Sequence, residues 1–273
     1  MDWLRAKNII LGLLILLNIF LLINVMSVKD VFKFTSQYQK DARQALENAG
    51  IVIQGKIPFY KRPLGRISYI EAGPDRYKKA VEKLTGLTYE PSEDHRRGEW
   101  RNNGFSFTLD KEKFIYADDT GSEVFSVENE RKLYRELSAW INKKGISTDS
   151  FLPDQITRDN DTVTVEFIRK YRGFPLFDNK IVFHFSGTKL LKAEGSIRIF
   201  DTIKLSKADD IVPVNIALLT NKDRIRNVIT AVEIGYLQPQ DEELFDIPVW
   251  RLSLESGEKV YFNAYTGEWL EVN

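Results

Sequence analysis

Thr162-Val163-Thr164-Val165-Glu166-Phe167, Lys180-Ile181-Val182-Phe183-His184-Phe185 and the long run from Lys189 to Phe200 read as three successive strands. β-Branched and aromatic residues fill them, and alternation sends neighbouring side chains to opposite faces of a sheet. His184 stands between Phe183 and Phe185, so the two rings face a core while the imidazole faces solvent or a polar edge. Asp178-Asn179 and Ser186-Gly187-Thr188 supply turns between the runs, and antiparallel pairing is the simple outcome.

Working outward, a helix is expected around Lys207 to Leu219, with Pro213 either in its first turn or splitting it. A second meander follows: Asn227 to Leu237, Ile247 to Leu254, Lys259 to Asn263 and Trp269 to Val272. On the N-terminal side, residues 36–49 read as a helix capped by Ser36 and stopped by Gly50. Strands are expected at Ile51 to Ile53 and Arg66 to Ile70, and a helix over Asp75 to Thr85 that Gly86 ends. Gly104 to Leu109 and Lys113 to Ala117 form a hairpin with its turn at Asp110-Lys111-Glu112. The clearest helix runs from a Ser126 cap to Lys143-Lys144-Gly145, with Leu133, Leu137, Trp140 and Ile141 on one face. The fold class is α+β: antiparallel sheets covered by helices, in two related-looking subdomains, 27–148 and 149–273, with the long helix at their boundary.

Ile9 to Met26 is an 18-residue apolar run in which 14 residues are Leu, Ile, Phe or Val. As a helix it extends roughly 27 Å and nearly crosses a bilayer core. Arg5 and Lys7 precede it and Trp3 holds the place of an interfacial aromatic, so residues 1–8 are expected in the cytoplasm, 9–26 in the membrane and the rest outside. Lys29 and Lys33 on the far side weaken that contrast. The run exceeds a signal-peptide core and no A-x-A-like site follows it, which favours a retained anchor. Asn24 lies near the outer interface, whereas Asn18 is mid-span, where a carboxamide seeks a hydrogen-bond partner on another helix.

Composition narrows the rest. Apolar residues make up 43% and charged residues 29%, ordinary globular usage. Bases and acids are equal in number at 39 each, which argues against a nucleic-acid surface. There is no cysteine, hence no disulfide, thiolate nucleophile or zinc-thiolate site. His95 lies in the charged loop Glu93 to Arg97, where adjacent cations oppose metal binding, and neither histidine has a companion at ligand spacing. Paired acids could hydrolyse glycosidic bonds, but Asp118-Asp119, Asp209-Asp210 and Asp241-Glu242-Glu243 sit where turns and helix starts use them. Asp159-Asn160-Asp161 lacks the glycine and closing glutamate of a calcium loop. No catalytic, cofactor-binding or metal-ligating residue is assigned. Aromatic residues make up 12%, most of them core, with any exposed ones suited to anchor an interface.

Both ends of the chain are similar to a known family. Met1-Asp2-Trp3 with Arg5 and Lys7, then an apolar helix carrying Leu17-Asn18-Ile19-Phe20-Leu21, resembles the start of the YycI family of Gram-positive bacteria. Val249-Trp250-Arg251-Leu252 followed by Lys259 to Glu268 resembles the closing hairpin of that family and of PepSY-like extracellular modules. The resemblance implies a non-enzymatic, single-pass regulator whose exterior domain faces out of the cell. It implies as partners membrane lipid, a YycH-like protein and a sensor histidine kinase of the WalK/YycG type, within a two-component system that controls cell-wall metabolism. Asn18, Leu17 and Leu21 are the residues that would touch a partner helix. An anchored cell-wall hydrolase and a PepSY-like inhibitor or chaperone of exported enzymes are the alternatives. The retained anchor predicts equal size for precursor and mature chain on a denaturing gel; cleavage would remove about 25 residues.

Overall fold

The computed structural model describes residues 3–60, 62–86, 88, 94–102, 104–144, 151–196, 198–240 and 243–271; within these, the side chains of 4–6, 8, 9, 21–36 and 201 are not described. The chain opens with α1 (Trp3–Asn48), a single helix of 46 residues. The expected cap at Ser36 is not a boundary, because the helix passes through it unbroken. The stop holds: Gly50 takes a left-handed φ of 81°, which suits a residue without Cβ. Among the described residues no helix is long and apolar enough to cross a membrane. The apolar run 9–26 includes 21–26, whose side chains fall outside the description.

Among the described residues, four α-helices, a short 3-10 helix (Lys222–Arg224) and thirteen strands build a mixed α and β fold with a large, mostly antiparallel sheet. The first half carries β1 (Ile67–Glu71), α2 (Pro74–Thr85), β2 (Arg97–Asn102), β3 (Phe105–Asp110), β4 (Lys113–Asp118) and α3 (Glu130–Lys143). Next come β5 (Phe151–Asp159), β6 (Thr162–Tyr171), β7 (Phe174–Ser186), β8 (Lys189–Ser196) and β9 (Phe200–Leu205). The chain closes with α4 (Val214–Thr220), β10 (Ile229–Leu237), β11 (Phe245–Leu254), β12 (Lys259–Asn263) and β13 (Trp269–Leu270). The long path through the sheet is β13-β12-β11-β10-β7-β8-β4-β3-β2, with β6 and β5 added beside β7. Its one parallel step joins β10 to β7 at Tyr236 and Leu176.

Several elements differ from expectation for identifiable reasons. Residues 51–53 form only an isolated bridge, Ile53 to Ile229. Asn129, not Ser126, caps α3: its Oδ1 accepts from Lys132 N at 3.0 Å, while Ser126 N donates to Glu136 at 2.8 Å. Pro213 caps α4, which shortens the expected helix to seven residues. Asp178-Asn179 is no turn: β7 runs through it, and the register shift against Ile168 and Arg169 puts Phe177, Asp178 and Asn179 in a bulge. The turn lies earlier, at Arg172-Gly173, both with left-handed φ.

Two main cores lie on this sheet. The first packs α2 and α3 against β3 to β8 and contains Leu133, Leu137, Phe107, Val165, Phe167 and Phe183. Trp140 of α3 meets Phe183 and Tyr116 edge to face, each at 5.4 Å. This core takes residues from both sides of position 148. The second packs the end of α1 and the segment after it, through Ala42, Leu46 and Ile57, against α4 and β10 to β12. Trp250 is fully buried there and donates its Nε1–H to Val212 O at 2.9 Å.

β10 and β7 approach closely at Gly235, where an added Cβ would fall 2.5 Å from Pro175 O and 2.6 Å from the Phe177 ring. Gly235→Ala is predicted to lower unfolding free energy by about 1–3 kcal/mol in urea titrations. Gly73→Ala, with nothing within 4 Å, should stay within about 0.5 kcal/mol of wild type.

Candidate functional site

The residues expected in a membrane lie along the first part of α1. Asn18 donates Nδ2–H to Leu14 O at 2.9 Å, one turn back along its own helix. That bond uses one of two amide hydrogens and none of the acceptor capacity of Oδ1. Leu17 and the apolar side chains from Ile10 to Phe20 are exposed, and Trp3 is 82% exposed. Lys7 is exposed; the side chains of Arg5 and Leu21 lie outside those described. No geometry here tests a partner contact.

The opposite end of α1 is fixed. Tyr38 Oη donates to Asn215 Oδ1 at 2.6 Å, and Arg43 donates to Ile53 O at 2.5 Å and Gly55 O at 2.8 Å. Tyr38 also packs on Phe59 at 4.5 Å between ring centroids. A helix of this length therefore reaches the second core as a rigid strut.

Between the two cores sits a buried ionic network that the sequence did not announce. Arg198, in the connection from β8 to β9, has 2% of its side chain exposed. Its Nη1 donates to Asp246 at 2.7 Å, its Nη2 to Asp178 and to Gln238 Oε1, and its Nε lies 3.1 Å from Glu112. Tyr69 Oη donates to the same Asp246, and its ring stacks on Phe200 at 4.0 Å. Four side chains, Glu112, Asp178, Gln238 and Asp246, thus converge on one guanidinium. A second network ties β11 to β5: Arg251 donates to both oxygens of Asp154 at 2.9 and 2.8 Å and also reaches Glu233. Lys259 joins Asp154 at 3.1 Å. Arg198 donates through both Nη atoms and pairs ionically with Glu112, and Arg251 donates through Nε and both Nη atoms, which fits them to hold segments together.

Beside the first network, beneath α2, lies a cavity of about 310 Å³. Val81, Leu84, Phe107 and Phe151 give it an apolar floor, and Arg76, Lys79, Lys83 and Arg169 give it positive charge. Burial holds the Arg169 pKa below its ordinary value despite the attraction of Tyr69 and Asp246. Asn179 also lines the cavity, and it is completely buried with no hydrogen-bond partner for Oδ1 or Nδ2 among the described residues. Each such group costs on the order of 1–3 kcal/mol if left unpaired.

Comparison with known proteins now has a structure to refer to. The family model described as YycI protein matches residues 30–265. The chain belongs to the YycI family. Among solved structures, the Bacillus megaterium YpeB C-terminal domain is 8% identical with a TM-score of 0.39, covering 75% of this chain and 98% of that one. YycH from Bacillus subtilis is 11% identical with a TM-score of 0.46, covering 82% of this chain and 61% of that one. No curated protein matches.

Among the acid pairs, Asp118 takes a turn-forming role. Asp118 accepts from Thr120 N at 2.9 Å, Ser122 N at 3.1 Å and Glu123 N at 3.3 Å, which organises the loop after β4. Burial works against its charge, yet these bonds hold its pKa below the ordinary value. Asp209 pairs through its backbone with Leu64. Asp241 and Glu242 lie outside the described residues. Asp159 to Asp161 hold the β5–β6 hairpin, with Asn160 at a left-handed φ of 49°. His184 meets Glu194 at 2.9 Å on the partly exposed face of its strand, and His95 packs against Tyr77 at 5.1 Å.

The two buried networks carry opposite pH dependence. At Asp246 burial, reinforced by Asp178, outweighs Arg198 and Tyr69 and raises the pKa from 3.8 to about 6. The folded state binds that proton more tightly than the unfolded chain, so the contribution is complete below 3.8 and is lost as pH rises through about 6. At Asp154 burial acts upward, but Arg251 and Lys259 together overcome it and the pKa falls below 3.8. That contribution is present above 3.8 and is lost as pH falls through the depressed folded value. Denaturant midpoints followed against pH should show Asp246→Asn abolishing the decline between 3.8 and about 6, and Asp154→Asn abolishing the loss at more acid pH.

Proposed function

We propose that this chain is a non-enzymatic, membrane-anchored regulator whose folded part lies outside the cell, where it associates with a YycH-like protein and a sensor histidine kinase of the WalK/YycG type. Family membership over residues 30–265 carries this reading. In it, residues 9–26 span the bilayer with residues 1–8 in the cytoplasm, and the output is a two-component system governing cell-wall metabolism.

The geometry of α1 supports the anchor. At ~1.5 Å per residue its 46 residues extend about 69 Å, more than twice a hydrocarbon core of about 30 Å. Among the described residues the apolar side chains from Ile10 to Ile19 are exposed, and lipid or a partner helix would cover them. Asn18 Oδ1, which the bond to Leu14 O leaves unused, would be an acceptor for a partner helix in that setting. Binding shifts a kinase between states only through different affinity for each, and a strut fixed to its domain at Tyr38 and Arg43 converts membrane-helix packing into that difference.

Replacing residues 9–26 with an unrelated membrane helix should reproduce the kinase output of a deletion strain, read with a reporter for the two-component system. Asn18→Leu should reduce recovery of the kinase in pull-downs from solubilised membranes. Unchanged output with the foreign helix and full recovery with Asn18→Leu would refute the membrane contact. Recovery of an exported protease in place of the kinase would favour the inhibitor or chaperone reading.

A further inference from the structure

We infer that the cavity beneath α2 is a binding site for a small organic anion with an apolar chain, its head a phosphate monoester or carboxylate. Three observations converge on it. Charge is the first: Arg76, Lys79 and Lys83, spaced three and four apart, share one side of α2 and line the cavity, and Arg169 lines it from β6. None of the described lining residues is acidic, so the lining itself carries net positive charge. Lys78 and Glu82 pair with each other elsewhere on the helix, at 3.9 Å, and do not line the cavity.

The floor is the second observation. Val81 and Leu84 from the helix and Phe107, Leu109 and Phe151 from the sheet are buried there. Simple anion sites are polar throughout, whereas ligand pockets combine an apolar lining with a few placed polar groups, at volumes from about 300 Å³ upward. At about 310 Å³ this cavity stands at the small end of that range.

Asn179 is the third. The bulge in β7 carries its carboxamide into the lining, fully buried, offering one donor and one acceptor that no described residue uses. A phosphate or carboxylate oxygen can accept from Nδ2–H, and the P–OH of a monoprotonated phosphate monoester can also donate to Oδ1. Arg198 also borders the cavity, but its carboxylate partners and Gln238 already occupy it, so it acts here as a wall. The site is independent of any protein partner, and its test needs none.

The full chain in nanodiscs of phosphatidylcholine, titrated calorimetrically with octyl phosphate, should show saturable binding at one site. Octanoate should bind there too, while inorganic phosphate and octanol should each bind at least about tenfold more weakly, because each lacks one half of the chemistry. The double variant Lys79→Glu, Lys83→Glu changes exposed side chains only and should weaken octyl phosphate about tenfold or more with an unchanged circular dichroism spectrum. Asn179→Leu should also weaken it, while a merely structural amide would leave affinity unaltered. Discs containing phosphatidic acid separate the sources: lost binding of added octyl phosphate assigns the head group to a bilayer lipid, and unchanged binding assigns it to a free molecule. No saturable binding of octyl phosphate or octanoate, equal affinity in the double variant, or equal affinity for inorganic phosphate and octyl phosphate would overturn the proposal.

Discussion

A guanidinium with 2% of its side chain exposed stays charged in a protein interior only where carboxylates surround it. Arg198 meets that requirement by drawing Asp246, Asp178 and Glu112 to itself from three separate strands or turns. Desolvation of the ions offsets most of the attraction, so such a network adds little to net stability, yet removing one partner costs about 3–5 kcal/mol. Its consequence is geometric. With Arg198 in place, the bulge of β7, the start of β11 and the β3–β4 turn have one relative arrangement that satisfies every charge.

That arrangement fixes how two cores share a sheet. β7 joins their strands, pairing with β6 and β8 in the first core and touching β10, a strand of the second, at a parallel position. Gly235 permits the touch, and Tyr236 next to it donates to Gly65 O at 3.1 Å, pinning the segment before β1. The second core also needs both ends of the chain: Ala42, Leu46 and Ile57 pack with Val214, Trp250 and Phe262. Such contacts, far apart in sequence, form only after the intervening residues are ordered, which makes this core the costly one to close in loop entropy.

Local patterns in the sequence carried the elements with one buried face. β6, the second half of β7, β3 with β4, and β12 alternate as sheet faces require, β10 and β11 show as apolar runs, and α2 and α3 show their apolar sides. The edge strands β2 and β5 were not legible: Arg97 to Asn102 buries none of its residues, and Pro153 lies in β5, where only an edge tolerates it. Asp178-Asn179 looked like a turn because those residues usually make one, and tertiary burial overrode the preference. Neither ionic network was visible, since Arg198 and Asp246 are 48 residues apart and Arg251 and Asp154 are 97 apart. The cavity under α2 escaped for the same reason, as its charge and floor come from separate elements.

The placement of these features restricts how a YycI chain can work as a regulator. α1 is docked on the second core by Tyr38 and Arg43, whereas the cavity belongs to the first. A change beneath α2 reaches α1 only across the seam, and the described seam consists of the Arg198 network, the β7–β10 contact and the strands pinned beside them. Arg198 borders the cavity on one side and grips β11 through Asp246 on the other, and β11 carries Trp250 and Leu252 into the core that receives α1. Packed interiors respond to such a difference by moving between discrete arrangements rather than by deforming continuously. Arg198 thus stands between the cavity and the core on which α1 is docked, so any such rearrangement would have to pass through its contacts.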